Sequence, residues 1–370
     1  MASYATKVKN DIQRWREAGL VDSGLAAHLA ADIDERAARG LSFGSVLAIL
    51  SALLFGASIL IFVAANWEAF PRLFRVGLLF TIIIAGYVGG AMLKLRDHSG
   101  MSQAAYLVAG AAFGASIALI GQMYHLSGDE RAAVLTWCVG VAVAAGLLRS
   151  GVSTAAAVLL AGAWLWMGAW DFWRDRPLEL GYLGIVAALW ALSLWTDSRL
   201  TRHLILLSLI AYAVLMYLRS DEVVILLLLA IASVALFLFA ALRPAACERA
   251  LRLGQGAEVH GFLGAATAML FLQALVADNP GLFMLLAFAS FAGIVAALMG
   301  AGRESRALRW LAYAFFGIEL GYVYIETVGT MLGTAGFLLA PGILLAIMAF
   351  VVLRLERRLR APRTVEGAVS

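Results

Sequence analysis

The sequence predicts an all-α, polytopic transmembrane helical bundle of about twelve spans, with both termini cytoplasmic and a short cytoplasmic N-terminal helical hairpin. Three observations predict it. The 370 residues are 63% hydrophobic and only 14% charged, with a mean hydropathy of +0.89; soluble domains are about 45–50% apolar and about 25% charged. From Leu41 onward, long apolar stretches alternate with short polar breaks. The basic residues then concentrate in every second break. A soluble fold of this size could not hide so much apolar surface, so lipid serves as the solvent.

Residues 1–40 form the first segment, a cytoplasmic amphipathic hairpin of two short helices. The first helix carries Ile12 and Trp15 and closes at Gly19, the residue type best suited to a left-handed C-terminal cap. Asp22 and Ser23 suit the N-cap of the second, which runs through Leu25, Leu29 and Ile33 to Gly40. That apolar stripe can pack on the first helix or lie along a membrane surface. These forty residues are polar and amphipathic, unlike a cleavable signal peptide.

The transmembrane domain is expected over 41–355. Its spans are 43–65, 76–94, 104–124, 132–149, 153–170, 180–196, 203–218, 223–242, 259–277, 281–300, 308–328 and 331–353. Several sit near the lower length needed to cross about 30 Å of hydrocarbon. The pair 180–196 and 203–218 is the one expected to be shortened or tilted. A basic tail, 356–370, follows. Of the 28 Lys and Arg residues, 22 fall in the two terminal segments and after the even-numbered spans, and six after the odd-numbered ones. This positive-inside bias places both ends in the cytoplasm. It also accounts for the net charge of +4 and the pI near 9.2 without nucleic acid as a partner.

Phe55-Gly-Ala-Ser-Ile59 recurs as Phe113-Gly-Ala-Ser-Ile117. Either the first two hairpins, about 43–149, are a parallel duplication or the likeness is chance in an Ala/Gly-rich chain. Gly86, Gly89, Gly90, Gly110, Gly114 and Gly121 are expected to let helices approach closely. Cys138 lies in an apolar run and Cys247 in a basic loop, so no disulfide framework is implied. No metal-ligand spacing and no phosphate-binding loop occurs, and no cofactor is expected. Glu258, His260 and Arg252 read as a solvated loop, and Arg354–Arg360 as a segment resting on anionic lipid headgroups.

Candidate site residues lie at the outward ends of odd spans. Asn66, Gln122, Tyr124, His125, Asp129 and Asp171 approach one plane there, either as a hydrogen-bonded cap or as a ligand-binding mouth. Glu319 and Glu326 in the eleventh span share a helical face, with Tyr322 between them. A carboxylate within the bilayer costs about 2.5–3.5 kcal/mol on insertion scales, so such a group faces a cavity or a partner. These three are candidates for binding a proton or a ligand, against the plainer reading of a neutral, hydrogen-bonded glutamic acid.

The helix containing Trp15, Gly19 and Leu20, the run Ala64-Ala-Asn-Trp67, and Gly121-Gln-Met-Tyr-His-Leu-Ser-Gly-Asp129 followed by Trp137 resemble a bacterial family. It is the predicted membrane proteins known as domain of unknown function 2157. The resemblance covers roughly residues 10–140 and implies a multi-pass protein of the bacterial inner membrane. It implies no activity and no site. Three functions remain in view: a carrier or ligand-binding protein for a small solute, a scaffold or sensor engaging a cytoplasmic partner through the N-terminal helices, and an enzyme acting on a lipid or periplasmic substrate. The enzyme reading would use His125, Asp129 or Glu326 as acid or base. Homo-oligomerisation is open.

Overall fold

The computed structural model describes residues 4–38, 70–123, 129–169, 180–254, 256–300 and 305–328, with isolated positions 54, 58, 61, 343, 346 and 350. The described residues form thirteen α-helices and no strand. They divide into two compact units, Met1–Gly77 and Leu78–Ser370.

In the first unit, α1 (Tyr4–Glu17) packs on α2 (Ser23–Ala38). Ile12 and Ala26 are buried. Gly19 has φ +71°; its N–H donates to Arg16 O (3.0 Å) and Leu20 N–H donates to Trp15 O (2.9 Å). These paired bonds satisfy the last carbonyls of α1. Asp22 accepts from the backbone N–H groups of Gly24 and Leu25 and from the Ser23 hydroxyl, which holds its carboxyl below the ordinary aspartate range. Leu25 and Leu29 stay 54% and 37% exposed.

The second unit begins within α3 (Arg72–Leu95). It continues through α4 (Ser99–Met123), α5 (Glu130–Leu148), α6 (Gly151–Ala169), α7 (Gly181–Trp195), α8 (Arg199–Ser220) and α9 (Val223–Leu242). A short α10 (Pro244–Leu251) precedes α11 (Ala257–Leu275), α12 (Pro280–Met299) and α13 (Arg306–Val328). Each expected span from 76–94 to 308–328 falls on one of these helices. Apart from those isolated positions, spans 43–65 and 331–353 lie outside the described residues, as does the Phe55–Ile59 copy of the repeat. Eight described helices, α3–α6, α8, α9, α11 and α12, are long and apolar enough to cross a membrane. Helix α7 is shorter, as expected, but α8 runs 22 residues and is not shortened.

Burial is consistent with lipid as the solvent. Only 17% of the most apolar stretch of α9 is buried, and 11% of that of α3. Leu147, Leu228, Ile231 and Phe288 are 61–80% exposed. Surface of that kind destabilises a protein in water and is neutral against acyl chains.

Turns of two or three residues join α5 to α6, α7 to α8 and α8 to α9, which makes each pair antiparallel neighbours. Arg149, Asp197 and Asp221 take the left-handed conformation there (φ 48–53°), and Ser198 caps the next helix through Thr201 N–H. At the end of the unit holding the α5–α6 and α7–α8 turns, polar side chains join the helices. Lys94 donates to Leu148 O (2.6 Å), Ser150 to Gln103, and Ser198 to Gly151 O. Trp195 donates to Gly146 O (3.0 Å), and the Arg149 guanidinium lies over its ring. At the opposite end, Arg131 Nε donates to Trp164 O (3.2 Å) and Arg219 to Gly168 O (2.7 Å). Two basic residues that break the positive-inside pattern thus meet the negative C-terminal end of α6.

Of the glycines expected at close contacts, four behave so. Gly86 abuts Ala109 and Gly90 lies under Tyr106. Gly114 lies under the indole of Trp137, whose Nε1 donates to Gly110 O (2.8 Å). Gly89 and Gly121 face open space. The expectation is wrong for these two because they point away from the neighbouring helix. The principal apolar core joins α5, α6, α7 and α8 around Val158, Ala161, Tyr182, Leu189 and Ile205.

Candidate functional site

Helices α11, α12 and α13 pack on one another and bring three polar side chains together. Glu319, from α13, is 1% exposed; Gln273, from α11, is 0% exposed; Ser290, from α12, is 8% exposed. Gln273 and Ser290 approach the Glu319 carboxyl. Yet Oε1 of Glu319 and both amide atoms of Gln273 close no hydrogen bond of good geometry. No lysine, arginine or histidine among the described residues pairs with Glu319. Each unsatisfied buried group costs about 1–3 kcal/mol. Buried, unsatisfied donors and acceptors around a carboxyl form a centre equipped to bind something small and polar.

The other sequence candidates fall into three groups. Tyr322 is half-buried beside this centre, its ring packed edge-on against Phe283 (5.7 Å between centroids). Glu326 is exposed, which explains why a carboxylate is tolerated there. Gln122 is exposed, and Asp129 is an exposed N-cap of α5, accepting from Arg131 N–H (2.9 Å). For Asp129 the structure therefore supplies the capping role. Asn66, Tyr124, His125 and Asp171 lie outside the described residues.

Sequence reasoning missed Gln273 and Ser290. A lone amide in the apolar run Ala257–Leu275 was a usable signal, because glutamine in hydrocarbon needs a partner as a carboxyl does. Ser290 carried none, since serines line many packed transmembrane helices.

A second polar region lies around α10 and the N-termini of α8, α11 and α13, and it corrects two expectations. His260 is not in a solvated loop. It sits in the first turns of α11, 7% exposed, bonded through Nδ1 to Gly256 O (2.7 Å) and stacked on His203 of α8 (5.1 Å). Cys247 is not in an open loop either, because Pro244 starts α10 there and turns the thiol inward to 4% exposure. A cavity of about 320 Å³ beside it is lined by Glu248, Gly254, Glu258 and Ser305. Burial raises the pKa of the Cys247 thiol, and the carboxylates of Glu248 and Glu258 raise it further. The native chain should therefore leave Cys247 unreacted with a thiol reagent at neutral pH, and release it only on denaturation. Rapid modification of the folded protein would contradict the burial of this cysteine. Among the described residues, no group of three His, Cys, Asp or Glu side chains could hold a metal ion.

The helical architecture and the exposed apolar surface agree with a family match. Residues 13–154 match the family of predicted membrane proteins, domain of unknown function 2157. The resemblance carried by Trp15, Gly121–Asp129 and Trp137 is thereby confirmed. No curated protein and no solved structure matches the chain. The family stretch ends within α6, so Gln122 and Asp129 lie inside it and Glu319, Gln273 and Ser290 lie outside. It supplies a membrane setting of unknown function. The chemistry of the α11–α13 centre has to be argued from its residues.

Proposed function

We propose that this chain is a multi-pass protein of the bacterial inner membrane, with about twelve spans and both termini cytoplasmic. In this reading it binds a small polar solute or ion at the Glu319 centre, as a carrier or as a ligand-binding protein. The observation that carries the reading is the buried polar set of Glu319, Gln273 and Ser290 between α11, α12 and α13, in which Oε1 of Glu319 and both amide atoms of Gln273 are unsatisfied. Evolution of a packing contact alone would favour apolar side chains there, since a buried polar group without partners destabilises the bundle. Tyr322 and the exposed Glu326 continue the same helix toward its end and mark the route by which a solute reaches the centre.

Single cysteines at positions 319, 322 and 326, in a chain lacking Cys138 and Cys247, test this in intact cells with a membrane-impermeant thiol reagent. Rapid labelling at 326 and slower but complete labelling at 319 is the expected result. Labelling at 326 with none at 319 makes Glu319 a closed structural group and removes the binding reading. No labelling at 326 overturns the orientation.

One observation favours a second reading, a scaffold or sensor. The α1–α2 hairpin belongs to the first unit, Met1–Gly77, and leaves Trp15, Leu20, Leu25 and Leu29 exposed, a surface suited to a partner or to the membrane interface. Deleting residues 1–38 without any change in phenotype or in co-purifying proteins would dispose of it.

A further inference from the structure

We infer that Glu319, Gln273 and Ser290 form a binding site for a sodium ion; this deepens the reading of the Glu319 centre given above and rests on it. The first argument is charge. A carboxyl 1% exposed among apolar helices must be neutralised by a proton or by a positive partner. The described protein offers no basic side chain for that role, so the neutralising charge comes from outside the chain.

The second argument separates the proton from a cation. A protonated glutamic acid and a primary amide can close on each other, with the acid O–H donating to the amide oxygen and the amide N–H donating to the other acid oxygen. Such a pair satisfies every atom without a guest. Gln273 and Glu319 approach each other but do not close this pair. Both amide atoms and Oε1 of Glu319 remain without partners, although each residue is at most 1% exposed. Those atoms are left free to take a ligand from outside the chain.

The third argument is the chemistry of the donors. A carboxylate oxygen, an amide oxygen and a hydroxyl oxygen are hard ligands, suited to alkali and alkaline-earth ions and not to zinc or copper. One formal negative charge balances a monovalent ion. Calcium takes six to eight oxygens, often from several carboxylates, and magnesium keeps most of its water, which a site this closed cannot hold. Among common monovalent ions, sodium is smaller and harder than potassium, which favours it at an all-oxygen set of ligands. One water carried in with the ion would accept from the amide N–H of Gln273.

The test is thermal unfolding of the purified full chain in lipid nanodiscs, titrated with sodium chloride against potassium chloride and choline chloride at constant ionic strength. A saturable rise in Tm with sodium, absent with potassium and choline, is expected. Glu319→Gln should weaken the sodium response about a hundredfold, because the neutral amide cannot balance the ion's charge. Ser290→Ala, which removes one neutral ligand, should weaken it about tenfold. Equal Tm values in all three salts overturn the sodium assignment, as does an equal response to sodium and potassium. If Glu319→Gln fails to fold, the wild-type salt series and Ser290→Ala decide the matter. A flat salt series together with labelling of a cysteine at 319 would leave the binding centre standing with a different ligand. A flat series without that labelling removes both.

Discussion

Replacing Gly261 by valine is expected to be among the most damaging single changes in the chain, lowering stability by about 3 kcal/mol or preventing assembly altogether. A Cβ at Gly261 would lie 2.6 Å from the backbone N and 2.9 Å from the Cα of Phe237. The obstacle is main chain within a helix, which cannot rotate aside as a side chain does. Gly261 stands where α9 and α11 pack most closely, and Gly264, one turn further, meets Ser233 in the same seam. Separating the two helices would also loosen the cluster of Phe262, Ile294 and Leu308. Gly293→Ala is the control, because nothing lies within 4 Å of its added Cβ; it should be neutral or slightly stabilising. Thermal unfolding of both variants in detergent checks the contrast, and equal Tm values would refute the close-packing account.

Arg202→Ala should destabilise the chain by about 3 kcal/mol, whereas Asp197→Asn should change stability by less than about 0.5 kcal/mol. The two residues are recorded as an ion pair with 3.4 Å between Nη2 and Oδ1, but their surroundings differ completely. Arg202 is fully buried and Asp197 is 83% exposed. Water screens the carboxylate, so the pair itself contributes little. The guanidinium matters through Nη1, which donates to Ser193 O (3.1 Å) at the end of α7, and through the volume it fills. Removing it takes one of two donors from that carbonyl, the other being Ser198 N–H (3.0 Å), and leaves the α7–α8 corner unfilled. If Asp197→Asn proved as harmful as Arg202→Ala, the ion pair and not the buried bond would be the source of stability.

Much of the fold is legible because lipid imposes it. Hydrocarbon permits continuous helices, so apolar runs such as 223–242 and 281–300 had boundaries that structure reproduces within a residue or two. Turn chemistry was legible at Gly19 and at Asp22-Ser23, since φ above zero and orphan N–H groups demand particular residues. Cys247, His260 and Arg202 were misread or overlooked. All lie where basic, loop-like sequence folds back on itself, and periodicity cannot show which polar side chains turn inward.

The site was half legible. Glu319 stood out because ionisable residues are costly in a membrane, and Tyr322 and Glu326 followed from helical spacing alone. That Gln273 and Ser290 meet Glu319 depends on the rotation of α11 and α12 about their axes, and no local pattern encodes it. What the sequence determined by itself is the solvent: composition and the alternation of apolar runs require a helical membrane protein. Tertiary structure decided which polar groups share a buried centre, for example by making Asp129 a cap and leaving Glu319 unsatisfied. The physical reason is that helix formation is a local response to lipid, whereas the meeting of side chains from three helices is set by packing between residues far apart in the chain.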